Sequence, residues 1–477
     1  FLPRWIMTMA TRDHFKSRIG FILAASGSAV GLGNIWKFPF EVGAGGGAAF
    51  VMTYLFFAFT LCFPVMVAEI AIGRKTQLNP VGAIKSLGHK RWTFLGYLGV
   101  ASGFLILSFY TVVAGWALGY FVEMLLGNFD IGNQFDAFTK DWIKMGLYSL
   151  LFMSGTAFVV SNGISGGIER AARILMPTLV VFVLALVIYA LTLPNAMEGI
   201  KYYLQPDFSK ITGDIVYKAL GQAFFSLSLG MGALITYGSY VSRETNIVRA
   251  AAVITVTDVS IAFLAGLMMF PFVAYMTQGD PVGIREVSGG PGFIFITLPG
   301  IFESLGHSLG MVIGTAFFLL LSFAAFTSTI SLLEVPTAYM IDELKVERKA
   351  ATWAVAGTIY LIGIPSMLSV GAVESLKNFI TLPGPGTMNF MDFVGLIAND
   401  TFLPLGGLLI SVFTAYVWKK SNFNKEIRVG SHQSKTGFLE VYVDIAISYI
   451  CPIILGIITL VTVFRNFFGI DIIGGLF

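Results

Sequence analysis

Charge is scarce in this chain of 477 residues, with Asp, Glu, Lys and Arg making up 12% of it, against about a quarter of an ordinary soluble domain. Hydrophobic residues supply 56% and the mean hydropathy is +0.80. That leaves too little polar surface for a water-soluble globule, and an integral membrane protein is expected. Cysteine is nearly absent. Cys62 and Cys451 both lie inside apolar runs, which excludes a disulfide framework and a thiolate metal site and makes them packing residues. The four histidines, His14, His89, His307 and His432, fall in loops or at run ends without metal-ligand spacing. "GISGG" (163–167) has the letters of a nucleophile elbow, but it sits in a basic connection with no strand before it. No enzyme is expected. The net charge of +3 is small and scattered, which excludes nucleic acid as a partner.

What the chain has instead is length of apolar sequence. About 20 apolar residues cross a bilayer as a helix, and eleven runs qualify, with approximate cores at 19–40, 48–72, 94–126, 145–160, 175–193, 215–241, 250–276, 311–340, 352–370, 394–418 and 443–464. The first run reaches spanning length, so no cleavable signal is expected. Lys and Arg collect before run 1 and after runs 2, 4, 8 and 10, whereas the alternate connections mix signs, as in Asp130, Asp136, Lys140 and Asp141. Basic loops stay inside. The N-terminus is therefore expected in the cytoplasm and the C-terminus outside.

Two runs are interrupted. Run 1 contains Gly31, Gly33, Asn34, Lys37 and Pro39, and run 6, five runs later, contains "SLSLGMG" (226–232). Broken helices at matching positions of two five-helix halves, opposite in direction because five is odd, point to an inverted-repeat secondary transporter. The expected organisation is a tail over 1–18, a first repeat over 19–193, a second over 215–418 and an additional helix over 438–466. Backbone freed from a helix at membrane depth costs several kcal/mol per unsatisfied group, so it persists around a polar ligand or cavity. Half-helix N-termini favour an anion, and freed carbonyls and hydroxyls suit a small hard cation.

"GSAVGLGNIWKFPF" (27–40) with "GGGAAF" (45–50), "FYTVVAGW" (109–116), "GQAFFSLSLGMGALITYGSYV" (221–241) and "AAFTSTISLLEVPTAYMIDEL" (324–344) resemble the neurotransmitter:sodium symporter family from Arg12 to the end of run 11. The resemblance implies an all-α fold of eleven spanning helices in a five-plus-five inverted repeat, and sodium-coupled uptake of amino acids or related amines. It implies one sodium site at Ala29, Asn34, Ser226 and Asp258, and a second at Gly27, Val30, Ala324, Thr327 and Ser328. Substrate contacts are implied at Ser28, Ala29, Leu32, Gly33, Ile106, Tyr110, Phe225, Ser226, Ser228, Met231, Ser328 and Leu332. The Tyr110 hydroxyl would meet a carboxylate, and Phe225 would close over the site.

Gly31 stands where the family's monoamine carriers have Asp, so the negative charge is left to the substrate and an α-amino acid follows. Ile106, Met231 and Leu332 carry no charge, which favours a neutral, hydrophobic side chain. Implied gates are Lys37 with Asp392 on one side and Arg12 with Asp342, supported by Tyr240, on the other; the family usually has Arg in place of Lys37. The spacing Gly167-x9-Pro177 resembles the family's helix 5 motif, at which partial unwinding is expected. Glu69, Tyr54 and Gln222 look like polar supports of the first sodium site. Asp258 replaces the family's Asn, and Ala262 falls where chloride-dependent members have Ser, so chloride is not expected to be required. The resemblance implies a bacterial inner membrane, and a monomer or weak homo-oligomer in the lipid bilayer is expected. The rival readings are a sodium-dependent amino-acid sensor and a channel on the same fold.

Overall fold

The computed structural model describes residues 13–288, 292–431 and 437–470. Among them, eleven helical segments match the eleven apolar runs. α1 is broken into α1a (Arg18–Ala29) and α1b (Gly33–Ala44), which bend by 49°. α2 (Ala48–Thr76), α3 (Lys90–Leu125), α4 (Trp142–Ser161) and α5 (Ile164–Leu191) follow. α6 is divided into α6a (Gly213–Ser226) and α6b (Ala233–Gly238). α7 (Ile247–Met276), α8 (His307–Leu344), α9 (Arg348–Leu368), α10 (Phe390–Val417) and α11 (Phe438–Phe468) complete the bundle. A two-stranded antiparallel hairpin, β1 (Ile380–Leu382) and β2 (Gly386–Met388), precedes α10, pairing Thr381 with Thr387.

Local chemistry sets the helix ends. The Ser17 hydroxyl accepts the Gly20 N–H at 2.9 Å and starts α1a, and the Asn246 side chain accepts the Arg249 N–H at 3.0 Å and starts α7; each satisfies an orphan donor of a first turn. The α6 break is made by left-handed backbone at Ser228 (φ 54°), Gly230 (φ 77°) and Gly232 (φ 73°). Ser228 adopts a conformation that is costly for an L-residue, and its hydroxyl donates to the Ser28 carbonyl at 2.8 Å. The breaks of α1 and α6 are thus tied to each other.

The long helices α3 and α8 share the most extensive interface, and α1a packs against α5, α7 and α8. α6b lies on α2 so closely that a Cβ on Gly73 would come within 2.0 Å of the Ile235 carbonyl. The two broken helices therefore occupy the middle of the bundle. At its periphery α5 exposes Val181 and Ile188, and α11 exposes Ile453, Ile457 and Leu460, apolar faces suited to lipid. α5 runs without interruption through Pro177 and carries a wide turn at Ile164–Ile168. The expected unwinding at the Gly167–Pro177 motif is not formed here, because Asp13 Oδ2 accepts the Ile164 N–H at 2.6 Å and holds that end of the helix.

Candidate functional site

Where α1 and α6 are broken, a cavity of about 20 Å³ is lined by Ser28, Ala29, Gly31, Gly33, Ile106, Tyr110, Phe225, Ser228, Met231, Ser328 and Leu332. No lining side chain carries a charge. A Cβ on Gly31 would lie 2.3 Å from Ser328 Oγ and 2.9 Å from the Tyr110 hydroxyl, so the absence of a side chain at 31 is what keeps this space. The Tyr110 hydroxyl accepts the Leu32 N–H at 3.0 Å, which puts it beside the unwound backbone of α1. A second cavity of about 690 Å³ opens on the side opposite the N-terminal segment and includes Trp36, Lys37, Tyr110, Phe225 and Asp392 in its wall. Phe225 lines both spaces and forms the partition between them.

On one flank of the small cavity, the Thr327 hydroxyl lies 3.0 Å from the Ala324 carbonyl and 3.3 Å from that of Val30. A Cβ on Gly27 would be 3.2 Å from Thr327 Cβ, and Ser328 Oγ donates to the Ser28 carbonyl at 3.2 Å. Gly27, Val30, Ala324, Thr327 and Ser328 are thus drawn together from α1 and α8. Carbonyl and hydroxyl oxygens converging in a buried space are the donor set of a hard monovalent cation.

On the other flank stands Asp258, fully buried. Asn34 Nδ2 donates to its Oδ1 at 2.7 Å, the Ser226 hydroxyl to Oδ2 at 2.9 Å, and the Tyr54 hydroxyl to Oδ2 at 3.2 Å. Asn34 Oδ1 accepts the Gly31 N–H at 3.0 Å, so one amide connects the α1 break to the α7 carboxylate. Gln222 Nε2 donates to the Gly33 carbonyl at 2.7 Å. Glu69 lies elsewhere than expected, for its Oε1 accepts the Gly230 N–H at 2.8 Å. It supports the α6 break, whereas Tyr54 and Gln222, the other two expected supports, reach Asp258 and the Gly33 carbonyl, next to the residues expected at the first sodium site.

The model of the sodium:neurotransmitter symporter family matches residues 12–132 and 134–467. The chain belongs to that family. It is 36% identical over 463 residues to an uncharacterized sodium-dependent transporter, YhdH, of Bacillus subtilis, covering 96% of this chain and 98% of that protein. It is 26% identical over 433 residues to the sodium-dependent serotonin transporter of Drosophila melanogaster, covering 80% and 68%. A crystal structure of MhsT in complex with L-phenylalanine superposes with a TM-score of 0.84 at 42% identity, over 94% of this chain and 99% of that one.

Within this symporter fold, every expected substrate contact lines the small cavity except two. Leu32 faces the larger cavity, and Ser226 is turned to Asp258. Gly31, which the sequence singled out for its lack of charge, is itself part of the wall.

The expected pairing of Lys37 with Asp392 is not formed. The Asp392 carboxylate instead accepts Asn389 Nδ2 at 2.8 Å, a bond within the first turn of α10. Lys37 Nζ lies 5.1 Å from the centre of the Phe225 ring, a cation–π contact on the partition itself.

Arg12 lies outside the described residues. Its expected partner Asp342 accepts the Asn79 N–H at 2.8 Å, and the Tyr240 hydroxyl donates to Glu334 Oε1 at 2.7 Å. Glu334, whose Oε2 is held by Arg348, is a buried acid that sequence reasoning passed over, although a Glu within the "SLLEVP" stretch of run 8 is a signal in itself. Residues 13–17 pack onto this side of the molecule, against the ends of α5 and α6b. Phe15 donates its N–H to the Tyr240 carbonyl at 3.1 Å and packs its ring against Phe21 and Tyr237, while the Lys16 N–H donates to Glu169 at 2.8 Å.

Proposed function

We propose that the protein is a sodium-coupled symporter that imports a neutral, hydrophobic L-amino acid by alternating access. The observation that carries this reading is the uncharged cavity at the junction of two broken helices, flanked by one carbonyl–hydroxyl cluster and one buried carboxylate. The substrate carboxylate would be received near Tyr110 and the α1 break, with its side chain against Ile106, Met231 and Leu332. One sodium ion would sit among Ala29, Asn34, Ser226 and Asp258, and another among Gly27, Val30, Ala324, Thr327 and Ser328. The second ion would join α1a to α8 and so oppose the parting of these helices toward the N-terminal side. That an amino acid is bound by MhsT, at 42% identity, supports the substrate class.

In this reading the two five-helix halves, 19–193 and 215–418, carry the motion, α11 stands outside it, the N-terminus is cytoplasmic and the C-terminus external. The wide cavity ending at Phe225 is then the external vestibule, and the packed N-terminal segment is the closed internal gate. A cavity of about 20 Å³ has room for about one water molecule, so its walls would move apart as substrate enters.

Uptake and counterflow of radiolabelled L-phenylalanine and L-leucine into proteoliposomes test the proposal. Accumulation driven by a sodium gradient is expected, together with exchange against unlabelled amino acid. Sodium-dependent binding without accumulation would make the protein a sensor, and flux that does not saturate would make it a channel; either result defeats the symport reading.

A further inference from the structure

Behind Lys37, away from the amino-acid cavity, lies a separate pocket of about 270 Å³ between α1b, α6a, α10 and α11, whose wall includes Lys37, Glu41, Tyr217, Lys218 and Asp400. Lys37 and Asp400 also line the vestibule, so the two spaces adjoin there. Glu41 is buried one helical turn from Lys37. Its carboxylate faces the pocket and makes no hydrogen bond and no ion pair among the described residues. Asp400 stands in the widened turn of α10 at Leu396–Phe402, and its side chain likewise has no such partner among the described residues.

The cations of the pocket are not equivalent. Lys218 is turned onto Asp214 at 3.0 Å, and Arg465 reaches the same carboxylate at 2.8 Å. Lys37 is left without an ion pair among the described residues. It is the foremost charge acting on Glu41 and the charge acting on Asp400, yet its Nζ rests over the Phe225 ring and forms an ion pair with neither. Three cations stand against three acids here, but two of the cations are held by Asp214, so the buried Glu41 and the half-buried Asp400 have no cation in contact among the described residues, and a buried charge is tolerated when a counter-ion is supplied.

We propose that this pocket binds a monovalent metal cation, sodium, through the Glu41 and Asp400 carboxylates, in competition with the tethered ammonium of Lys37. An ion in the pocket takes over the compensation of both acids, so that the Lys37 ammonium, which rests over Phe225, becomes available to Asp392 across the vestibule, the pairing that is not formed in this structure. By linkage, closing the vestibule and filling the pocket favour each other. The site is additional to the two sodium sites of the proposed symport, and its occupancy does not depend on them.

Equilibrium binding of radiolabelled sodium to the purified full chain, without amino acid, tests this. Lys37→Gln removes the internal competitor and is expected to tighten one sodium ion by about tenfold. Glu41→Gln combined with Asp400→Asn is expected to abolish that ion and to retain the one that Thr327→Ala removes. A Lys37→Gln protein that binds sodium no more tightly than the parent overturns the proposal, as does a folded double variant that binds as many ions as the parent. The gain of affinity in Lys37→Gln cannot arise from misfolding. A Thr327→Ala protein that loses no sodium would count against the symport site among α1 and α8 and leave this pocket standing.

Discussion

At the scale of single residues, the proposed substrate class turns on the missing side chain at position 31. Two effects oppose any addition there. A methyl group would meet Ser328 Oγ at 2.3 Å, and overpacking of that order costs about 1–3 kcal/mol. A carboxylate would add repulsion against the substrate's own carboxylate, several kcal/mol at close range and an intermediate dielectric. Gly31→Ala is therefore expected to weaken L-phenylalanine binding about tenfold, and Gly31→Asp by more than about a hundredfold, with both proteins folded. Equal losses in the two variants, measured by equilibrium binding in sodium, would show that space alone matters and would remove the charge argument. Seven of the eleven residues lining the small cavity lie in or beside the two glycine-interrupted runs, while Ile106, Tyr110, Ser328 and Leu332 stand in α3 and α8 and were legible through the family resemblance alone. The partner of Lys37 was not. It depends on whether Asp392 is free to leave the first turn of α10, where Asn389 holds it, and on the placement of Asp400 by a widened helical turn that apolar periodicity does not register.

The elements show the same division between local and distant causes. All eleven spanning segments could be read from hydropathy, since length and apolarity are local properties. The breaks were legible as glycine clusters, but what holds them open comes from remote parts of the chain. Glu69 in α2 accepts the Gly230 N–H, and Ser228 reaches back to Ser28 in α1. Arg74, fully buried, joins the end of α2 to Glu426 in the short helix after α10 and to the Thr245 carbonyl, a tie between segments hundreds of residues apart. Gly230 is the point at which this support is least tolerant, because its backbone is left-handed at φ 77° and a Cβ would approach the Leu403 carbonyl to 2.4 Å. Gly230→Ala combines about 1–2 kcal/mol of backbone cost with a backbone clash. It is expected to lower the melting temperature by several degrees and to weaken sodium and amino-acid binding together. Gly357→Ala, where an added Cβ meets nothing within 4 Å, is the matching control and is expected to be neutral or slightly stabilising. A Gly230→Ala protein that melts and binds as the control does would show that the α6 break tolerates a side chain.

For the whole molecule the deciding quantity is the balance of charge across the transport cycle. In the proposed symport two sodium ions and one substrate carboxylate would leave a local positive excess in a bundle that has few charges, and an unpaired buried charge is costly. From sequence alone Asp258 could have been a solvated residue near one end of α7, with no part in this balance. The structure excludes that, since Asp258 is fully buried and receives Asn34, Ser226 and Tyr54 on its two oxygens. Three neutral donors favour the charged form of the carboxylate, and Asn34 links it directly to the α1 break. In the proposed symport the protein itself would then supply the negative charge that an external chloride would otherwise bring. Sodium-dependent uptake into proteoliposomes is therefore expected to persist when gluconate replaces chloride. Asp258→Asn keeps the shape and the hydrogen-bonding positions but removes the charge. That variant is expected to lose at least about tenfold in sodium affinity or to acquire a chloride requirement. If uptake by the parent stops without chloride, the anion comes from solution and Asp258 has another role. If Asp258→Asn transports as the parent does in gluconate, the carboxylate is not the compensating charge and the balance must be sought among other buried acids, beginning with Glu69.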